Sequence, residues 1–282
     1  MEEYKQKIAE YFDVTLPYYK CFWHRDSESN ALHYGFWDQD TRTLSEALLN
    51  ENKFLAEITE IRRETRVLDA GCGIGGSAIW LAKNRGAYVV GVTLSKRQAE
   101  KAKELAQKHG IDKKTEFYIK DFLNTGFLNN SFDVIWALES VCYSEDKKMF
   151  LKEAFRLLKS GGRLVVADGF LWKEPQLLEE KKIYKDFLKG LMLPNIAKVD
   201  RFRNDMETVG FRNIKFWDKT AETKPSSKIL YRRVLLFYPI AKILNLLHII
   251  PNLLIKNSIA GLAQWRLVKS GLGGYGVFYG EK

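Results

Sequence analysis

The chain has 282 residues, of which 46% are hydrophobic and 13% aromatic. This length and composition suffice for one large α/β domain with a full apolar core, and they exclude an intrinsically disordered chain. The three scattered cysteines form neither a disulfide framework nor a zinc pattern, and neither a signal peptide nor a membrane-spanning apolar run is recognisable. We therefore expect a cytoplasmic protein.

Positive charge is concentrated toward the end of the chain. Residues 201–282 contain 14 Lys and Arg against 5 Asp and Glu, which accounts for +9 of the net charge of +10. A basic and apolar C-terminal third suits an anionic lipid surface, an acidic substrate or a nucleic acid, and it also fits a plain solvated surface. The charge pattern therefore leaves peripheral contact with a membrane open.

Strand and helix patterns alternate from Thr65 onward. Seven short apolar runs predict strands at 66–70, 88–92, 116–119, 132–137, 163–167, 213–217 and 275–279. Helical patterns separate most of them, at 77–85, 96–109, 146–159 and 199–209. We expect the helix at 146–159 to end on a left-handed glycine within Ser160-Gly161-Gly162. The alternation predicts a parallel sheet with right-handed crossovers.

Helical segments flank this core on both sides. Thr43 and Glu46 form a capping-box pattern ahead of the apolar periodic run at 44–61, which predicts a helix. About 55 residues separate the last two strands, far more than a hairpin needs, and they predict a helical insertion. The predicted division is an N-terminal helical segment, an α/β core in two pieces and the insertion, at residues 1–64, 65–218 with 274–282, and 219–273.

Residues 241–254 are the most apolar part of the insertion. Their few polar side chains fall three or four residues apart on one narrow stripe, at Lys242, Asn245, His248 and Asn252. Pro239 and Pro251 bracket the run, which predicts a helix that is apolar around most of its circumference. Such a helix covers a ligand site, lies in the core or rests in a membrane interface, and the flanking basic residues suit the last of these.

A glycine-rich loop joins the first predicted strand to the helix that follows it. The pattern Gly71-x-Gly73-x-x-Gly76 lets the backbone approach an anionic ligand closely, and by itself it also matches the dinucleotide fingerprint. Asp69, two residues ahead of the loop, would repel a pyrophosphate but can pair with the ammonium of a methionine moiety. The second strand ends in Gly91-Val92-Thr93-Leu94-Ser95, without the acidic residue that holds an NAD ribose. These features favour S-adenosylmethionine over NAD.

With these residues the loop resembles motif I of the class I S-adenosylmethionine-dependent methyltransferases. Residues 92–98, Val-Thr-Leu-Ser-Lys-x-Gln, are similar to the corresponding segment of the sterol, tocopherol and cyclopropane-fatty-acid methyltransferases. Residues 33–37, His-Tyr-Gly-Phe-Trp, resemble a segment common ahead of motif I in the tocopherol and small-molecule enzymes. The resemblance implies a Rossmann-like, seven-stranded, mostly parallel sheet with helices on both faces, N-terminal helices over the cofactor, and a helical substrate cap. It also implies S-adenosyl-L-methionine as cofactor and S-adenosyl-L-homocysteine as product.

The resemblance further implies a set of cofactor-binding residues. They are Tyr34, Asp69, Gly71, Cys72, Gly73, Thr93, Leu94, Gln98, Asp121, Phe122 and Leu138. Thr93, Leu94 and Gln98 would make the ribose and adenine contacts, although Gln98 equally fits a capping box with Ser95. The loop after the third strand would let an aspartate accept from the adenine amino group and a phenylalanine cover the ring, although a plain loop acid beside a core aromatic is the alternative.

Candidates for catalysis follow the fourth predicted strand. Methyl transfer from a sulfonium is a direct displacement, so the protein mainly aligns the reacting atoms and removes a proton where the acceptor requires it. In the lipid and terpenoid relatives this stretch reads Glu-Ser or Glu-Ala, two residues, then His, and here Glu139 and Ser140 match while Tyr143 replaces the histidine. Tyrosine is a poor base at neutral pH, so Glu139 is the better catalytic candidate and Tyr143 the second. A packing role remains open for both.

The sequence thus predicts an S-adenosylmethionine-dependent methyltransferase that acts on a small, hydrophobic acceptor such as a lipid, a terpenoid, a sterol or another natural product. An RNA methyltransferase or nucleic-acid-binding protein is the first alternative, but the basic residues alternate with apolar runs and no Asn-Pro-Pro-Tyr element follows the fourth strand. A cofactor-binding relative with lost or diverted activity is the second, which Tyr143 keeps open. No metal is expected, because no two of the histidines, at 24, 33, 109 and 248, have metal-ligand spacing.

Overall fold

The computed structural model describes residues 2–22, 29–31 and 33–282, so His24 lies outside the described residues. Its strands are β1 Arg66–Ala70, β2 Tyr88–Thr93, β3 Thr115–Ile119, β4 Phe132–Leu138, β5 Leu158–Leu171, β6 Arg212–Asp218 and β7 Gly273–Glu281. They form one sheet in the order β3-β2-β1-β4-β5-β7-β6, in which only β7 runs antiparallel to its neighbours. The predicted seven-stranded, mostly parallel fold is confirmed.

Helices cover both faces of this sheet. They are α1 Glu2–Phe22, α2 Leu44–Ile58, α3 Gly76–Arg85, α4 Lys96–Lys108, α5 Lys147–Leu157, α6 Leu178–Leu191, α7 Val199–Val209, α8 Thr220–Leu246 and α9 Asn252–Lys269. Because strand side chains alternate, Val67 packs in the core with α2, α3 and α4, whereas its neighbour Leu68 packs with α5 and α7. The β1 strand is therefore buried on both faces, as expected of a parallel sheet between helices.

Local signals set several helix ends where the sequence placed them. The capping box at the start of α2 is present, with the Thr43 hydroxyl accepting from the Glu46 amide at 3.2 Å. The α7 helix occupies the predicted residues and ends at Gly210, whose φ of 113° is a left-handed stop.

The predicted end of α5 was wrong. The helix stops at Leu157, and β5 begins at the next residue, so that Gly161, with φ of 72°, lies inside the strand and does not cap the helix. The physical reason is that residues 157 and 158 bond to β4 and the residue before it, and these bonds compete with a further helical turn. The carbonyl of Leu157 accepts from the Ser131 amide at 2.8 Å, and Leu158 pairs with Phe132 in the β4–β5 ladder. These contacts with the neighbouring strand replace the last helical turn.

The predicted single helix over residues 241–254 was also wrong. The α8 helix runs through Pro239 and ends at Leu246, and α9 starts only at Asn252, so the apolar run contains a turn. His248 has φ of 57° in that turn, and the Asn245 side chain donates to the carbonyl of Ile250 at 3.0 Å. Two of the polar residues that looked like a helical stripe therefore build the turn. Among the described residues, no helix combines the length and apolarity that crossing a membrane requires.

Candidate active site

A cavity of about 590 Å³ lies at the carboxyl edge of the parallel strands, within the size range of small-molecule sites. Its wall is formed by α1, by the glycine loop, by the ends of β2 and β4, by the loop after β3, and by α8 and α9. Every site residue proposed from the sequence lies on this wall, namely Tyr34, Asp69, Gly71, Cys72, Gly73, Thr93, Leu94, Gln98, Asp121, Phe122, Leu138, Glu139 and Tyr143. The fold thus brings residues separated by more than 100 positions into one site.

The glycine loop turns sharply at the base of the cavity. Gly71 and Gly73 have φ of 94° and 53°, in the left-handed region that favours glycine. A Cβ atom on Gly71 would lie 2.4 Å from the Cβ of Ser140, so a larger residue does not fit there. The amides of Gly71 and Cys72 both donate to the carbonyl of Val92, at 3.0 and 2.9 Å. These bonds fix the loop between the ends of β1 and β2.

Asp69 is a buried acidic residue beside the glycine loop, and one of its carboxyl oxygens lacks a hydrogen-bond partner. The residue is only 3% exposed, and its Oδ2 atom has no hydrogen-bond partner. Burial raises the pKa of this carboxyl to about 7. A cationic group placed against Asp69 would supply the missing partner and stabilise the carboxylate, so this position fits a ligand ammonium.

Glu139 follows the last residue of β4 in a strained conformation. Its φ of 48° is rare for a residue with a side chain, and such strain is typical of functional sites. Its Oε1 atom accepts from the Tyr34 amide at 2.7 Å, which joins β4 to the N-terminal segment. Burial, followed by the nearby charge of Glu51, raises the pKa of Glu139 to about 8. The carboxyl can therefore exchange a proton near neutral pH.

A buried polar network that the sequence did not reveal supports this side of the cavity. The Nδ1 atom of His33 lies 2.8 Å from Oε2 of Glu51, and the Tyr275 hydroxyl donates to Oε1 of the same carboxylate at 2.8 Å. Burial opposes protonation of His33, but the charge and hydrogen bond of Glu51 raise its pKa overall. The available signal was a charged residue on the apolar face of α2, between Leu48 and Leu55.

Asp168 is a second site residue that was missed. It lies on the cavity wall near the end of β5 and is 5% exposed. Its two carboxylate oxygens accept from the amides of Gly169 and Cys142, each at 2.8 Å. Burial raises its pKa, and the amide bonds oppose that rise. Asp168 directly follows the predicted strand 163–167, at the same sheet edge as Asp69, and this position was the clue that the sequence offered.

The residues expected at the ribose hold one another in place. The Thr93 hydroxyl donates to Oε1 of Gln98 at 2.7 Å, and the Ser95 hydroxyl accepts from the Gln98 amide at 2.9 Å. Ser95 therefore caps α4, but the reciprocal half of the predicted capping box is missing because the Gln98 side chain bonds to Thr93 instead. The Ser95 hydroxyl also donates to the carboxylate of Asp13 on α1. This bond places α1 over the end of β2.

Asp121 has protein partners on both carboxylate oxygens. One carboxylate oxygen accepts from the Leu123 amide at 2.8 Å, and the other lies 2.8 Å from the Lys5 ammonium of α1. A contact between this carboxylate and adenine would have to share it with Lys5. The neighbouring Phe122 ring packs edge-on against Phe150, with 5.6 Å between centroids, so it also belongs to the core.

Tyr143 lies on a loop fixed by a buried lysine. Its ring meets that of Phe12 edge-on, with centroids 5.1 Å apart. The Lys147 ammonium donates to the carbonyls of Cys142 and Ser144 on either side of Tyr143, at 3.2 and 2.6 Å. Burial lowers the pKa of Lys147 to about 8. The position of the tyrosine is thus set by protein contacts on both flanks.

The remainder of the wall is mostly apolar and comes from the helices. Its members on α1, α8 and α9 include Ile8, Phe12, Leu230, Val234, Phe237, Ala241, Leu244 and Leu254. Hydrogen bonds join the N-terminal segment to α8 and α9 beside this wall. The Tyr34 hydroxyl donates to Oε1 of Gln264 at 2.9 Å, and the same oxygen accepts from the Ser227 hydroxyl at 2.6 Å. In the described part of the chain, no three His, Cys, Asp or Glu side chains are grouped so that they could hold a metal ion.

A doubly wound sheet, a glycine loop and acidic side chains at one carboxyl edge define the class of Rossmann-like enzymes. Residues 68–166 match the family described as "Methyltransferase domain". The chain is 32% identical to 27-O-demethylrifamycin SV methyltransferase of Amycolatopsis mediterranei (strain S699), over 69% of this chain and 71% of that one. It is 28% identical to the chloroplastic tocopherol O-methyltransferase of Arabidopsis thaliana, over 86% of this chain and 74% of that one.

The fold is shared with a protein described as the [4+2]-cyclase SpnF. The TM-score is 0.83 at 20% identity, and the match covers 99% of this chain and 96% of the other. On the sequence relationships, this chain belongs to the family of S-adenosylmethionine-dependent small-molecule methyltransferases, as its motifs indicated. S-adenosylmethionine is the cofactor of that family.

Proposed function

We propose that the protein transfers a methyl group from S-adenosylmethionine to a small, hydrophobic acceptor such as a lipid, a terpenoid or another apolar natural product. The observation that carries this proposal is the cavity itself. One end is bounded by the glycine loop and the acidic residues of the sheet edge, and the other by the apolar faces of α8 and α9. A polar cofactor and an apolar acceptor would each meet matching surface.

The residues at the sheet edge fit the cofactor. The left-handed glycines leave backbone room beside Asp69, whose unpartnered buried oxygen suits the ammonium of the methionine moiety. Thr93 and Gln98 line the same cavity and would contact the ribose, and Asp121 and Phe122, also on its wall, would contact the adenine. Because acids predominate and a phosphate would meet the charge of Asp69, this end suits a cation better than a pyrophosphate.

Glu139 is the residue that we assign to proton transfer. When bound, the cofactor supplies an electrophilic methyl group and is left as S-adenosylhomocysteine. The Tyr34 amide occupies Oε1 of Glu139, so Oε2 is the oxygen available to receive a proton from the acceptor. A pKa of about 8 makes this carboxyl, once ionised, a stronger base than an ordinary glutamate. Tyr143, on the same wall, positions the acceptor.

The chemistry of the helical wall supports a hydrophobic acceptor. Leu230, Val234 and Leu244 face the cavity from α8, and Leu254 faces it from α9. Two of the sequence relatives are named as methyltransferases of a demethylrifamycin and of tocopherol, which are small molecules and not nucleic acids. Nothing in this wall resembles a surface for nucleic acid, because its cavity-facing side chains are predominantly apolar and not basic.

A screen with tritiated S-adenosylmethionine tests the proposal. Sterols, prenyl-quinones, fatty lipids, amines and RNA are offered separately, with cofactor binding followed by calorimetry. We expect binding of S-adenosylmethionine but not NAD, and label in one of the apolar extracts. Leu230→Glu should abolish labelling while cofactor binding persists, and the exposed Leu128→Glu, outside the cavity, is the matched control. Label in RNA alone, or tight binding of NAD alone, would overturn the proposal.

A further inference from the structure

The C-terminal half of α8 and the turn after it expose an unusual number of large apolar side chains. We call this surface the apolar tip, and it consists of Leu235, Leu236, Phe237, Ile240, Ile243, Leu246, Leu247 and Ile249, which are 41% to 79% exposed. Leu236, Ile240, Ile243 and Leu247 follow one another at helical spacing along one side. Contiguous apolar surface of this kind on a soluble protein marks an interaction site.

The charge around the apolar tip has a single sign. Between Glu222 and Glu281 the chain has eight Lys and Arg and no Asp or Glu. Lys228 and Arg232 on the same helix are exposed below the tip, and Lys242 is exposed within it. Such a surface attracts anions, whereas two copies of the tip in contact would bring like charges together.

The apolar tip is continuous with the cavity. Phe237 and Ile240 belong to both, since each lines the cavity and is also exposed to solvent, at 41% and 53%. Their neighbours Tyr238 and Ala241 also line the cavity. The mouth of the cavity therefore opens among the side chains of the tip, and an apolar molecule could pass between the two without crossing a polar surface.

We propose that the apolar tip docks on an anionic lipid bilayer and that the acceptor enters the cavity from the bilayer. The apolar side chains would enter the acyl region to a shallow depth while Arg232 and Lys242 contact the headgroups, as in other interfacial helices. Docking at the interface agrees with the absence of a spanning helix among the described residues. The entry of the acceptor rests on the proposed function, whereas the docking itself does not.

Vesicle flotation of the full chain tests the docking. The probes are vesicles of phosphatidylcholine alone and of phosphatidylcholine with phosphatidylglycerol at about three to one, at low and high salt. We expect flotation only with the anionic vesicles, and weaker flotation at high salt because screening shortens the reach of the charges. Equal flotation with both, or none with either, would overturn the proposal.

Two pairs of variants identify the surface. Leu236→Glu should lower partitioning at least tenfold, since a charge replaces an exposed leucine that would enter the acyl region on docking. Leu128→Glu, at a residue 82% exposed ahead of β4, should not lower it. Arg232→Glu should lower partitioning more than tenfold, at about fivefold per unit of charge, whereas the exposed Lys113→Glu should leave it within twofold. Equal losses in a variant and its control would refute the assignment to the tip.

Two further measurements separate the possible failures. If the tip joined two copies instead, sedimentation would show a dimer that Leu236→Glu dissociates, without vesicle binding, and the proposal would be refuted.

Cofactor binding and methylation of an acceptor supplied in detergent should be the same in Leu236→Glu as in the unaltered protein. Methylation lost from vesicles but kept in detergent supports entry from the bilayer. No methylation of any apolar acceptor in detergent would refute the proposed function and leave the flotation result intact.

Discussion

Replacing Asp69 by Asn tests the electrostatic design of the site most directly. The carboxyl is buried beside the glycine loop with one unpartnered oxygen, and burial raises its pKa to about 7. A hydrogen bond that involves a charged group contributes about 1.5–3 kcal/mol, and about 1.4 kcal/mol corresponds to a tenfold change in affinity. Asp69→Asn should therefore weaken S-adenosylmethionine binding about 10- to 100-fold at pH 7.5.

The pH dependence supplies a sharper version of the same test. Asp69 must be ionised to pair with an ammonium, so affinity should rise with pH up to about 7 and change about tenfold per unit well below it. The ammonium of the ligand itself titrates near 7.7–8.0, which limits the useful range to about pH 5.5–7.5. Asp69→Asn should bind weakly and almost independently of pH across that range.

Calorimetry in two buffers of different ionisation enthalpy measures both effects. At pH 7 about half of the Asp69 carboxyls hold a proton, so binding should release about half a proton per ligand from this residue. Asp133→Asn, in β4 at the opposite edge of the sheet, is the control and should leave affinity and proton release unchanged. A flat pH profile in the unaltered protein, or an undiminished slope in Asp69→Asn, would refute the reasoning.

Three other substitutions test the surrounding structure. Gly71→Ala should abolish cofactor binding, as measured by calorimetry. It should also lower the free energy of unfolding by about 1–3 kcal/mol in denaturant unfolding, because φ of Gly71 is 94° and the added Cβ would collide with Ser140. Glu139→Gln should lower kcat about 10²- to 10⁴-fold with little change in cofactor affinity, whereas Tyr143→Phe should stay within tenfold, as single-turnover labelling would show. Glu51→Gln should cost about 1–3 kcal/mol in guanidinium unfolding, because the carboxyl that bonds to both His33 and Tyr275 is lost from a buried position. An unchanged midpoint would contradict that role.

Local signals were sufficient for most of the core. The β1 strand and the α7 helix lie at the predicted residues, because an apolar run in one case and a glycine stop in the other act within a few positions. The glycine loop could also be predicted from the sequence, because the positive φ of Gly71 favours a glycine at that one position. The cofactor class followed from Asp69, two residues ahead of the loop, and from the missing acid at the end of the next strand, β2.

Features that depend on distant partners could not be read in this way. Glu51 bonds to Tyr275 across 224 positions, and a single sequence contains no trace of that pairing. The start of β5 was missed because Leu158 pairs with Phe132, a partner that outweighs the helical pattern of residues 146–159. The turn at His248 was missed because its polar residues also happened to fit a helical stripe.

The α1 helix connects the two ends of the cavity. Lys5 pairs with Asp121 at the end of the cavity proposed for adenine, and Phe12 packs on Tyr143 at the end proposed for methyl transfer. The Tyr11 hydroxyl accepts from the Asn257 side chain of α9 at 2.5 Å. A movement of α1 that released S-adenosylhomocysteine would also disturb these contacts, which reach the part of the cavity proposed for the acceptor. In kinetic terms, cofactor exchange would be coupled to the packing around the acceptor, while the mouth among the tip side chains remains a separate route for the apolar molecule.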